Sequence, residues 1–110
     1  MDVKEHLPLP ETTFLILLSL ARAPRHGYAI MQDVAELSDG RLQMSTGTLY
    51  GGLRRMLEQG WIERFDEKSK VVDGRARKAY RLTELGRKIL NADAARMQSL
   101  LQAVRQGNAI

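Results

Sequence analysis

The chain has 110 residues, enough for one domain with a modest core that would gain from oligomerisation. Lys and Arg outnumber Asp and Glu by 17 to 13, a net charge of +4 mild enough that its placement matters more than its size. With no cysteine, a disulfide framework, a thiolate zinc site and a cysteine nucleophile are excluded.

Residues 1–10 read as an arm, because Pro8 and Pro10 remove backbone donors and disfavour a helix before them. The opening Asp2, Lys4 and Glu5 do not resemble a signal peptide, and the longest apolar run, Phe14 to Leu18, is too short to span a membrane. A cytoplasmic protein without membrane contact is the expectation. From Glu11 to about Ala23, Leu, Ile and Ala dominate ahead of Pro24, which predicts a first helix buried on most of its circumference. A second helix is expected from Gly27 to about Leu37, with Ile30, Val34 and Leu37 on one face and Ser38-Asp39-Gly40 closing it.

Ser45 has the chemistry of an N-cap, able to accept a hydrogen bond from the backbone of Gly47 or Thr48. Leu49, Leu53, Met56 and Leu57 then follow a helical period, and Gly60 supplies the stop. With those residues turned inward, Gly47, Thr48, Gly51, Arg54, Arg55 and Glu58 face outward and Tyr50 lies at the boundary. A glycine inside a helix costs roughly 1 kcal/mol relative to Ala, so Gly51 is poor packing but lets the backbone approach another surface. In a DNA major groove, Ser45, Thr46, Thr48 and Tyr50 would meet phosphates, and Arg54 and Arg55 would meet phosphate or guanine. Taken alone, the same pattern also fits a solvated amphipathic helix.

Residues 61–65 and 79–83 read as two strands joined by a long, mobile, charged hairpin loop. Between Lys68 and Arg81 there are six basic residues against a single acid, Asp73. Arg75, Arg77 and Lys78 cluster where no core contact would order them, a positive finger suited to a minor groove or the phosphate backbone. Thr83 would cap a last helix to about Gln106. Its Leu90, Ala94, Met97, Leu101 and Val104 recur at spacings of 4, 3, 4 and 3, a short heptad seam. Pairing of this helix with a second copy explains its length better than packing on its own domain. A two-fold dimer would set two recognition helices about 34 Å apart on a palindromic site.

The expected fold is therefore mainly α with a small two-stranded β wing (α+β), in the order helix–helix–helix–strand–strand–helix. Residues 1–83 would form the DNA-binding unit and 84–110 a dimerisation helix belonging to the same compact body. His6 and His26 are far apart in sequence and lack cysteine or spaced acidic partners, so neither a metal site nor a cofactor is expected. No nucleophile–base constellation can be assembled, and the chain does not read as an enzyme. His26 is expected to pack or hydrogen-bond at the start of the second helix, and Trp61 and Phe65 to join the core.

Three motifs in order resemble the PadR-type transcriptional regulators. Gly47-Thr48-Leu49-Tyr50, continuing through Leu53-Arg54-Arg55-Met56-Leu57-Glu58-Gln59-Gly60-Trp61-Ile62-Glu63, is similar to their recognition helix and first wing strand. His26-Gly27-Tyr28 resembles the opening of their second helix, and the run from Gly74 to Arg87 their wing and closing helix. The resemblance covers about residues 8–105 and implies a winged helix-turn-helix, a homodimer held mainly by the last helix, and repression of nearby promoters. It also implies a small aromatic or lipophilic effector as a partner beside double-stranded DNA and a second copy. The chain departs from the family where proline is common: Gly51 stands in the recognition helix and Ala76 between the wing arginines. Its closing helix carries no aromatic residue. A rival expectation is a winged-helix protein–protein interaction module, docking an acidic partner through the basic hairpin without sequence-specific DNA binding.

Overall fold

A computed structural model describes residues 3–72 and 75–107, with backbone alone for residues 67–72 and 75–77. Four helices, α1 (Glu11–Arg22), α2 (Gly27–Leu37), α3 (Thr46–Gln59) and α4 (Glu84–Gln106), surround a three-stranded antiparallel sheet of β1 (Arg25–His26), β2 (Ile62–Val72) and β3 (Arg75–Leu82). The strand order is β1-β3-β2. This is a winged helix-turn-helix, in the element order the sequence predicts with one strand added. The added strand β1 pairs Arg25 with Tyr80 and His26 with Ala79. Two residues carry no readable alternation, so β1 exists only because the edge of β3 is there to pair with it.

The core lies where α1, α2 and α3 converge on the start of α4 and the base of the hairpin. Ile16, Leu17, Ile30, Val34, Leu49, Leu53 and Ile89 are all but inaccessible to solvent there. Two expectations change. The charged stretch foreseen as a long loop continues as strand: β2 and β3 pair from Ile62↔Leu82 out to Val72↔Arg75, with a register irregularity between Glu67 and Val71. Backbone pairing sustains this ladder beyond the core, so no apolar period marks it in the sequence. The anticipated N-terminal arm is tied down as well. Val3–His6 forms a 3₁₀ turn, Leu9 enters the core, and the His6 ring meets Trp61 edge-on at 5.2 Å. The anchor is Asp93 on α4, wholly buried, whose carboxylate accepts from the Leu9 backbone N–H (3.3 Å) and from Arg96 Nε (2.6 Å). A buried carboxylate is tolerated only when paired and hydrogen-bonded in this way.

Phe65 is a third correction. Trp61 is buried as expected, but Phe65 is only half-buried and lies under the Arg81 guanidinium, 4.6 Å from its ring centre. Further polar ties join elements across the fold. Asp33 on α2 is buried and pairs with Arg22 at 2.8 Å and Arg25 at 3.6 Å. Arg41 forks onto Glu11, and that hydrogen bonding holds the Glu11 carboxyl below the usual glutamate range.

Thr83 joins the end of α3 to the start of α4. Its N–H donates to the Trp61 carbonyl (3.0 Å), its hydroxyl donates to the Gly60 carbonyl (2.6 Å), and the same oxygen accepts from Gly86 N–H (3.0 Å). Gly60 reverses the chain in the left-handed region at φ 79°. A Cβ on Gly86 would lie 1.9 Å from the Trp61 carbonyl oxygen, so only glycine lets α4 start here. Because the obstacle is backbone, Gly86→Ala is expected to cost about 3 kcal/mol; urea unfolding at wild-type stability would contradict this packing.

Candidate nucleic-acid interface

α3 begins as the sequence predicts. Ser45 Oγ accepts from Thr48 N–H at 3.1 Å and donates to Thr48 Oγ1 at 3.0 Å, so the two side chains form one polar unit at the helix start. Leu49, Leu53 and Met56 are buried, whereas Ser45, Thr46, Gly47, Thr48, Arg54, Arg55 and Glu58 are exposed. Gly51 is half-covered, and a Cβ there would meet only an Arg55 guanidinium nitrogen at 3.8 Å. Gly52 faces inward beside Ile16.

Tyr50 stands at one border of this face, 43% exposed. Its hydroxyl lies 2.5 Å from where a Cβ of Gly27 would be, so the glycine opening α2 is what admits the tyrosine ring. The two arginines diverge. Arg55 folds back along the helix, its guanidinium nitrogens 3.8 Å from the Cβ positions of both Gly51 and Gly52, on the flank shared with His6, Pro10 and Thr13. Arg54 takes the opposite flank and lines a cleft toward the wing with Tyr50, Leu53, Leu57, Arg64 and Tyr80. Helical period alone puts Arg54 and Arg55 together, and it carries no sign of Arg64 or Tyr80. The overlooked signal was alternation: Ile62 and Arg64 share a strand face, so a residue two beyond a buried Ile62 turns toward α3.

On the wing, Lys78 is exposed, and its carbonyl accepts from His26 Nδ1 at 3.0 Å, which pins β3 to the start of α2. The side chains of Arg75 and Arg77 lie outside the described residues; their backbones belong to β3 beside the hairpin end. Burial raises the Tyr80 phenol above the usual tyrosine range.

α4 divides in two. Gly86, Ile89, Leu90 and Asp93 are buried in the chain's own core, so Leu90, at 5% exposure, is already engaged within the monomer. Ala94, Met97, Leu101 and Val104 remain exposed, joined by Leu100, which the heptad pattern did not include. Among the described residues no cluster of His, Cys, Asp and Glu is placed to hold a metal ion, and no helix is long and apolar enough to cross a membrane.

A capped helix with small outward residues beside a basic β-hairpin defines the class: a winged-helix DNA-binding protein. The PadR-like transcriptional regulator family matches residues 16–92, and the chain belongs to that family. It is 38% identical over 82 residues to the transcriptional regulator Rv3488 of Mycobacterium tuberculosis, covering 74% of this chain and 71% of that one. Its structure is similar to a PadR-like transcription factor from Bacteroides fragilis (26% identity, 96% and 98% of the two chains, TM-score 0.73). The fold also matches Bacillus subtilis PadR, solved in complex with operator DNA (21% identity, 77% of this chain and 47% of that one, TM-score 0.65). The protein is a transcriptional regulator, not an enzyme.

Because a Cβ at Gly51 would meet only the flexible Arg55 guanidinium at ordinary contact distance, Gly51→Ala is expected to stabilise the protein by about 0.5–1 kcal/mol through helix propensity. Thermal or urea unfolding measures it; a loss of stability would show that the outer face of α3 is more crowded than this geometry allows.

Proposed function

We propose that the chain is a cytoplasmic, homodimeric transcriptional repressor that binds palindromic operator DNA. One observation carries the proposal: the exposed face of α3 is lined with hydroxyls, glycines and arginines and lies beside the base of a cationic hairpin. Ser45, Thr46, Thr48, Tyr50, Arg54 and Arg55 serve the major groove and its flanking phosphates, while Arg75, Arg77 and Lys78 serve the wing. The structural likeness to a PadR protein solved on operator DNA supports this assignment.

Residues 1–83 then form the DNA-binding unit and 84–110 the dimerisation helix. Met97, Leu101 and Val104, with Ala94 and Leu100 beside them, offer an apolar stripe to a second copy, and Leu90 anchors the stripe to the core. A two-fold axis through α4 presents two copies of α3 to successive turns of one DNA face. Repression, and release by a small aromatic or lipophilic effector, enter this reading through the family.

The test is fluorescence anisotropy with the duplex upstream of the protein's own coding region and a scrambled duplex, at several salt concentrations. The expected result is tight, selective, salt-sensitive binding at two subunits per site. Replacing Arg75 and Arg77 together with Ala is expected to weaken both duplexes and to lower the salt slope by about one unit per lost phosphate contact. Equal weak binding to both duplexes contradicts the operator reading, and an unchanged slope contradicts the wing assignment.

A further inference from the structure

The cleft between α3 and the wing holds two cations that no described carboxylate neutralises. Among the described residues, Arg22, Arg25, Arg41, Arg81 and Arg96 each pair with a carboxylate, whereas Arg54, Arg55, Arg64, Arg87 and Arg105 do not, and of these Arg54 and Arg64 come together. Both line one cleft of about 260 Å³, with Tyr50 and Tyr80, and no carboxylate belongs to its walls. Strand register explains why. Arg64 is opposite Tyr80 across the β2–β3 ladder, so the two side chains share a face of the sheet, and Tyr80 is 5% exposed on that face. The neighbouring cross-strand pair, Glu63 and Arg81, occupies the other face and neutralises itself at 2.6 Å. The wing thus turns one satisfied arginine outward and one unsatisfied arginine toward α3.

Two like charges beside one cleft repel, and an anion between them converts that repulsion into two attractions. Arginine forks match tetrahedral oxyanions, and phenol hydroxyls can donate to the remaining oxygens. The partly desolvated wall formed by Tyr80 weakens solvent screening on one side.

We propose that this cleft is a phosphate-binding site, in which Arg64 with Arg54 clamps one backbone phosphodiester of bound duplex DNA where the strand passes from α3 to the wing. The inference rests on the DNA-binding reading above and adds Arg64 and Tyr80 to it. Arg64 acts as a positioning contact: it sets the register of α3 on the duplex and carries no sequence information.

The experiment compares wild type, Arg64→Gln, Arg64→Lys and Arg81→Gln in salt-dependent anisotropy titrations on both duplexes, with thermal unfolding of each variant. Arg64→Gln is expected to weaken operator and scrambled duplexes alike, by about tenfold, and to lower the salt slope by about 0.9. Arg64→Lys keeps the charge and is expected to hold the wild-type slope. Arg81→Gln is expected to leave the slope unchanged. Wild-type binding that persists with an unchanged slope in Arg64→Gln, or equal losses in Arg64→Gln and Arg81→Gln, overturns the clamp while leaving the DNA reading intact. Absence of duplex binding by wild type removes both. Inorganic phosphate at matched ionic strength separates the two sources of the oxyanion. A backbone clamp predicts that Arg64→Gln weakens the duplex to the same extent in chloride alone; a loss that appears only when phosphate is present assigns the cleft to a free anion and overturns the duplex contact.

Discussion

The three hydrogen bonds at Thr83 fix the geometry on which the rest of the molecule depends. They lock the end of α3, the closing turn of the wing and the first turn of α4 to the same few backbone atoms, with Gly86 allowing α4 to rest on the Trp61 carbonyl. A rotation of α4 therefore carries α3 with it. In the proposed dimer, the pairing of two α4 helices sets both the separation and the tilt of the two recognition helices. Asp93 extends the same connection to the N-terminal segment, binding Leu9 to the point where α4 leaves the core. Beyond that point α4 projects, and the molecule reaches 58 Å in its longest dimension against 34 and 22 Å in the others.

The polar surface is organised around α3 by subtraction as much as by addition. Arg22 in α1, Arg96 in α4 and Arg81 on the outer face of the sheet are paired with Asp33, Asp93 and Glu63, and Arg41 with Glu11. Arg54 on α3 and Arg64 beside it have no such partner among the described residues. Unpaired cations beside one cleft favour association kinetics with a polyanion and non-specific affinity more than fold stability. The uncharged portion of the surface, the apolar stripe on α4, lies on a different element, so nucleic-acid contact and self-association need not compete for the same residues.

What was legible in the sequence was whatever is encoded locally. Ser45 and Thr83 cap their helices by side-chain bonds to residues three positions on, and Gly60 stops α3 by a positive φ; each signal sits inside a window of a few residues. The features that escaped depend on distant partners. β1 needs the edge of β3, the folded N-terminal segment needs Asp93 eighty-four residues away, and the extended hairpin is held by its own ladder. Leu90 fits a heptad equally well whether its neighbour is a second copy or its own core, and only the structure distinguishes them. In the candidate interface, the helix residues were readable from periodicity, whereas Arg64 and Tyr80 required the register of two strands.

The central claim is that the outer face of α3 and the adjoining wing together form a duplex-DNA surface. Backbone amide shifts followed by NMR during titration with the upstream duplex test it most directly. The account predicts perturbations concentrated at residues 45–55, at Arg64 and Lys78, and in the wing, with the core-facing side of α1 and the exposed stripe of α4 unmoved. Perturbations centred on α1 or on that stripe, with α3 and the wing silent, would contradict it.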